Sequence, residues 1–584
     1  MVARLLITTA DERTWPKDNN TPIIFLGEWC KLYSRKSKWK NLSSTVVPYH
    51  WDDRKLIRKD YQYLDKVYES YLSTLSVTLN KVHNVEHTER YWRIVIGPWL
   101  RYFIEIVYDR YQSIMKASHN NVSNTYILHS ELFDWVPNTH AEFSNYFTSD
   151  EYNHYLYSSI IKWSDAVPYD LISENNKPQK AIYETDNTTS LVYSINKILN
   201  KISPSLVKRI SIHNSSWTLS DQLRVLSSIF QTPLARRSCE PPNNIRIKTS
   251  MRNQLTFDIA CNQFEQFLQY IIPFQIPISY LEAYDNLVQS AKIYIPKSVK
   301  LIYTASGADY NANDCFKVAA AERVENGAKL CIGQHGGHFG TGLWSSSEQH
   351  QIKISDKFYS WGWESENVKP MPSAKLLYVK NNEKRKLDGP ILWVQHAAPR
   401  YAYWMYSVPV AGQYLSYFND QVRFAKRIDG SIKKKLILRL YPKGDYGWSQ
   451  VQRWEDQKLD IEIYRGNSTM LQQMSECRLI VSTYNATTFL ESLVKNYPTI
   501  IFWDENLWEL REEAEVYFDK LKKVGIFHDS PESAAEKVNE VCHNIELWWM
   551  EEELQSIRKQ FVNEFANTSK NWKKAWSSEF KSLL

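Results

Sequence analysis

Apolar positions along the chain fall into two rhythms. Short β-rich runs that end in polar residues predict strands, and apolar positions three and four apart predict helices. The first 55 residues give ARLLITTA, TPIIFLG and STVVPYHW, three strands with polar loops after them. From Arg54 to about residue 117 the period changes. Leu56, Tyr61, Leu64, Val67, Tyr68 and Tyr71 keep helical spacing, and a second helix is predicted from about Arg93 through Tyr108. Further helices are predicted near 187–202, 219–231, 254–271 and 279–292, broken by Pro-containing loops such as 239–244. From Lys297 onward apolar strands alternate with amphipathic helices, from KLIYTAS through AKLCIGQHGG, PILWVQHA, KLILRLYP and RLIVSTYN to TIIFWD. That alternation predicts a parallel, doubly wound sheet. Helices are expected again at about 509–524, 531–545 and 546–566.

These elements predict an α/β protein of two Rossmann-like lobes. Residues 1–296 would form an N-terminal lobe carrying a helical insertion. Residues 297–505 would form a C-terminal Rossmann-like lobe, and residues 506–584 helices that cross back onto the N-terminal lobe. A chain of 584 residues is longer than one core usually organises, which agrees with two lobes. Composition changes the picture in one respect: hydrophobic (43%) and charged (23%) shares are ordinary, but aromatics reach 14%, with 22 Trp and 37 Tyr. Such rings line sugar clefts and equally fill cores. The net charge of +6 is spread over 71 basic and 65 acidic residues without a basic block, which argues against nucleic-acid binding and leaves room for contact with an anionic membrane. The N-terminus reaches Asp11 and Glu12 before a signal-like apolar region forms, and no run approaches the length of a membrane span. A cytoplasmic protein, at most peripheral at the inner membrane, is expected. Seven cysteines, odd in number and without metal-ligand spacing, suit a reducing compartment and no structural zinc.

Candidate chemistry gathers at predicted strand ends. After AKLCI come Gly333, Gln334, His335, Gly336, Gly337, His338 and Gly340, where glycines let main-chain N–H groups approach an anion or a sugar. The segment has neither the GxGxxG nor the Walker pattern. Arg439, Tyr441 and Lys443 end the strand KLILRLYP, where cations would neutralise a leaving phosphate. Ser482, Thr483, Asn485 and Glu491 follow a strand and open a helix, an arrangement that serves as an anion site or as an ordinary N-cap. In the N-terminal lobe Asp11, Glu28, His50, Asp52 and Asp53 follow three successive strands. Carboxylates there could act in glycosyl transfer or could cap helices. Glu28 is the first choice because it follows a strand and Gly27, with Asp52 next, and Trp99 in a Gly-Pro-Trp turn could shape an acceptor site.

With LLITTADERTWP, IIFLGEWC, PYHWDDR, IGPWLRY, GQHGGHFGTG, ISDKFYSWGW and STYNATTFLESL in view, the chain resembles the LIC12162 family of transferases of bacterial surface-polysaccharide genes over nearly its whole length. It is more distantly similar to GT-B-like transferases that use CMP-activated ulosonic acids. That resemblance implies a metal-independent glycosyltransferase with no cofactor beyond a CMP-linked donor as substrate, and a glycan or lipid-linked acceptor. Its donor would lie against residues 439–443 and 482–487, with the Gly-rich loop near the sugar. Where that group carries a His-Pro pair, this chain has Tyr441 and Pro442. A nucleotide-sugar epimerase or hydrolase, or a glycan-binding assembly protein without chemistry, are the competing readings.

Overall fold

The computed structural model describes residues 4–178, 209–232, 239–242, 245–380, 385–441, 444 and 446–584. Three parallel sheets follow one another along the chain. The first comprises β1 (Arg4–Ile7), β2 (Ile23–Phe25), β3 (Ser44–Val46), β4 (Val122–His129) and β5 (Tyr169–Asn175), in the order β3-β2-β1-β4-β5. The second comprises β6 (Ile210–His213), β7 (Leu301–Thr304), β8 (Lys329–Gly333), β9 (Lys357–Ser360) and β10 (Val368–Pro370), in the order β10-β9-β8-β7-β6. The third comprises β11 (Ile391–Val394), β12 (Leu436–Arg439), β13 (Glu462–Ile463), β14 (Leu479–Ser482), β15 (Thr499–Phe502) and β16 (Phe527–His528), in the order β13-β12-β11-β14-β15-β16. β7, β11, β14 and β15 are buried at every position, as strands covered by helices on both faces require.

The α/β class and the parallel strands agree with the sequence, but the domain boundaries do not. Ile210 pairs with Leu301 and His213 with Thr304, so the second sheet draws strands from both sides of the expected boundary at 296/297. The two facing lobes are therefore the second and third sheets, and the first sheet is an additional α/β unit ahead of them. Four residues, ISIH, are too short a run to announce β6 by periodicity.

The helical insertion lies where it is predicted, between β3 and β4, as α1 (Arg54–His83), α2 (Glu89–Val95) and α3 (Gly97–Ser118). The Asp53 carboxylate accepts the Lys55 N–H and caps α1, and Asn84 ends it at φ 53°. Ile57, Tyr61, Leu64, Tyr68, Tyr71 and Leu75 form its buried stripe. α3 is buried on nearly all sides and packs between α1 and α4 (Asp150–Ser164). Its Arg110 guanidinium is fully buried between Asp109, Asn153 and the carbonyl of Ala402, which joins the first unit to the third. Charges this deep need such pairing.

In the second and third units α5 (Asp314–Glu325) and α6 (Thr487–Val494) cover β8 and β14. Residues 506–584 are not one crossing segment, because Glu512–Lys523, β16 and Pro531–Val541 complete the third unit. The last helix, α7 (Trp572–Leu583), does cross back, onto the second sheet. Trp576 packs on Tyr303 and Tyr359 with ring centroids 5.0 Å apart in each case, and Glu579 accepts the Tyr359 hydroxyl at 2.9 Å. Cys239 and Cys315 form a disulfide, a pairing across 76 positions that departs from the all-thiol expectation. Among the described residues no helix is long and apolar enough to cross a membrane.

Candidate active site

β8 and β14 both run into loops at their carboxyl ends, and the two loops interlock. The Gly337 N–H donates to Thr487 Oγ1 at 3.2 Å, and the Asn485 amide donates to Thr341 Oγ1 at 3.0 Å. A Cβ on Gly337 would stand 2.6 Å from the main chain of Ala486, so only glycine permits this approach. Gly340 has φ +78° and lies against the Trp363 indole. Gln334 anchors the loop from inside: its amide nitrogen donates to the carbonyls of Gly336 and Phe339, and its oxygen accepts from the Trp361 N–H and the Trp363 indole. The glycines thus bring two sheet edges together, and the Gln334 side chain is taken up by the loop itself.

Beside this junction a cleft of about 390 Å³ opens over the carboxyl ends of the second sheet. Ser216, Ser306, Ser360, His335, Lys375 and Trp576 are among its walls. His335 Nδ1 is 3.4 Å from the Tyr310 hydroxyl. Burial, aided by the Lys375 ammonium, lowers His335 to about 4, so the ring is neutral at neutral pH. Glu491, in α6 and so on the facing unit, behaves oppositely. Burial raises its carboxyl to about 7 against the pull of the same lysine. One cation, Lys375, therefore acts both on a neutral imidazole of the second unit and on a carboxyl of the third that titrates near neutrality. Such groups can move a proton and stabilise a departing anion.

Of the other expected donor residues, Arg439 is nearly buried, bonded to Gln473 and to the carbonyl of Ser468 at 3.0 Å, with its guanidinium over the Tyr464 ring. Thr483 donates to the carbonyl of Val394 at 2.9 Å and ties β14 to β11. Ser482 is fully buried, and its hydroxyl has no protein partner. Gly336 borders the cleft loop, Tyr441 stacks on Tyr446, and Lys443 lies outside the described residues. Two residues beside these were not singled out in the sequence. His396 follows β11, where burial lowers it to about 4 between the rings of Tyr484 and Trp508. Its signal, a histidine directly after PILWVQ, was legible. Lys375 sits in MPSAKLL, which carries no recognisable signature.

The N-terminal candidates are not brought to this cleft. Glu28 pairs with Lys31 at 2.8 Å and lies against Gly412. Asp52, raised by burial despite a hydrogen bond from Gln413, sits at the same seam with the third unit. His50 is buried, lowered to about 4 with Asp109 at 3.5 Å opposing the effect, and Asp53 is the α1 cap. Trp99 is fully buried and stacked on Phe103, so in place of the expected acceptor contact it has a packing role. Asp11 borders a different cleft in the first unit.

Fold and site together define an α/β protein with a cleft over the strand ends of its second parallel sheet, beside the loop junction with the third. A family model described as LIC12162 family transferase matches residues 4–580, and the chain belongs to that family. It is a transferase. No protein of curated function matches it. Solved structures similar to it include MurG of Acinetobacter baumannii, 11% identical over 64% of this chain and 99% of that one with a TM-score of 0.31. A UDP-forming α,α-trehalose-phosphate synthase from Burkholderia xenovorans is 9% identical over 65% and 98% with a TM-score of 0.34. The glycosyltransferase SnogD from Streptomyces nogalater is 9% identical over 65% and 100% with a TM-score of 0.33.

Proposed function

We propose that this transferase moves a glycosyl group from a nucleotide-activated donor to a glycan or lipid-linked acceptor, with the nucleotide held by the third unit and the transfer taking place in the cleft beside His335. The observation that supports the reading is the meeting of the 334–342 and 483–487 loops, together with a lysine, Lys375, whose charge reaches both His335 and Glu491. In transfer, the bond between the anomeric carbon and the donor phosphate breaks, its electron pair leaves with the phosphate, and the acceptor oxygen bonds to the carbon as it loses its proton. Glu491, poised near neutrality, suits the proton acceptor, and Lys375 and Arg439 suit the leaving phosphate. The resemblance to transferases of CMP-linked ulosonic acids, and a role in surface-polysaccharide assembly, give the finer version of this proposal.

The first test is a thermal-shift titration with CMP, UDP, GDP and dTDP, because a ligand that binds only the folded chain raises its melting midpoint. A shift with CMP that Arg439→Ala or Ser482→Ala abolishes is expected. A selective shift with another nucleotide replaces the donor class, and no shift with any of the four overturns the reading.

A further inference from the structure

The first unit has a cleft of its own, of about 780 Å³, larger than the one beside His335. It lies over the carboxyl ends of β1 and β5 in a sheet of order β3-β2-β1-β4-β5, which reverses direction between β1 and β4. Ligands of open parallel sheets gather at such a reversal. The usual occupant, a nucleotide phosphate on free main-chain N–H groups, is excluded by the local bonding. No glycine occurs between Ile7 and Trp15. The N–H of Ala10 donates to Asp150 at 3.1 Å, that of Asp11 to Thr9 Oγ1 at 3.3 Å, that of Arg13 to the Asp11 carboxylate at 3.1 Å, and that of Thr14 to the Asp11 carbonyl at 3.0 Å. Every one of these donors is taken, and two carboxylates stand where a phosphate would need positive potential.

What remains is a wall of both hydrogen-bonding kinds in near balance. Asp11, Glu12, Asp150 and Glu151 accept, while Arg13, Arg35 and Lys177 donate. The positive groups are matched within the wall or next to it: Arg13 with Asp11, Arg35 with Glu12 at 2.6 Å, and Lys177 with Asp134 at 3.5 Å. Three asparagines, Asn145, Asn175 and Asn176, add amides that do both, and the Asn176 Oδ1 is buried without a protein partner. Trp135 and Tyr146 contribute aromatic surface. Intermixed donors and acceptors beside rings, with only one carboxylate in excess over the three cations, match a molecule whose every hydroxyl both donates and accepts. The volume falls within the range of about 300–1,000 Å³ that holds a sizeable ligand, with room for more than one sugar ring.

We propose that the cleft bordered by Asp11, Arg35 and Glu151 is a second ligand site, which binds a neutral oligosaccharide of two or three rings. This site is independent of the donor cleft, and it stands whether or not the reaction beside His335 is glycosyl transfer. Saturation-transfer NMR of the full chain with maltotriose, cellobiose and N,N′-diacetylchitobiose at millimolar concentration tests it. At least one sugar is expected to give a signal that Glu151→Gln and Arg35→Gln each reduce severalfold, while adding CMP leaves it unchanged. Both residues are exposed, so these variants keep the fold, which an unchanged melting midpoint verifies. No signal from any of the three sugars, a signal indifferent to both substitutions, or displacement of the sugar by CMP overturns the proposal.

Discussion

Glu491 shows how a single side chain reports its surroundings. Its carboxyl rises to about 7 in the folded chain, whereas in the unfolded chain it takes the ordinary value near 4.5. Below about pH 4.5 both states are protonated and the group has no effect on stability. Between there and pH 7 only the unfolded chain ionises, which favours unfolding, and above pH 7 that cost is constant. Glu491→Gln is therefore expected to melt with the parent at pH 4 and progressively above it as pH rises through 7. Equal melting midpoints at pH 8 would show that the carboxyl is not held in its protonated form. For activity, Lys375→Met removes the charge that opposes burial at Glu491, so the limb of the pH–rate profile set by this group should move to higher pH. His335, lowered by burial and the same lysine, is expected to stay neutral throughout that range.

At the scale of elements, the two interlocking loops carry the site, and their fit is steric. Gly337→Ala would push a methyl group into the main chain of Ala486, which cannot step aside as a flexible side chain would. Overpacking of this sort costs about 1–3 kcal/mol. A lowered melting midpoint and a large loss of turnover are expected together, and a variant with parental stability and activity would show that the loops are not held this closely. Gly336→Ala is the control, since nothing lies within 4 Å of its Cβ position. The sequence made much of this legible. Strand ends, glycines and hydroxyls were in view because they are local patterns, and α1 announced itself through six residues at helical spacing, all but Leu56 of which are buried. The partner of each loop was not legible. That Gly337 meets Thr487 is a contact across 150 positions, and that Glu28 and Asp52 face the seam with Gly412 and Gln413 depends on how whole units dock. Lys375 joins the site through tertiary packing alone.

Across the whole molecule, the cleft beside His335 is completed by the far end of the chain. Trp576 belongs to α7, yet it lines the cleft and packs on Tyr303 and Tyr359 of the second sheet, with Trp217 at 5.3 Å on its other side. α7 is also held at its edges: Ser228 donates to Ser577 at 2.7 Å, Lys329 to the carbonyl of Leu583 at 3.1 Å, and Lys369 pairs with Glu579. A helix whose buried face is a wall of the site couples closure of the cleft to folding of the second unit. Trp576→Ala leaves a void among four aromatic rings, and truncation of this size costs about 3–5 kcal/mol. Its cavity also opens directly into the site, so turnover should fall further than the lost stability explains. Trp576→Phe separates the two effects, because it keeps a ring in the void while withdrawing the indole N–H from the carbonyl of Pro372. The phenylalanine variant is expected to recover most of the melting midpoint and a substantial part of the activity. If Trp576→Ala loses stability but keeps parental turnover below its melting range, α7 is a prop of the second sheet and not a wall of the active cleft.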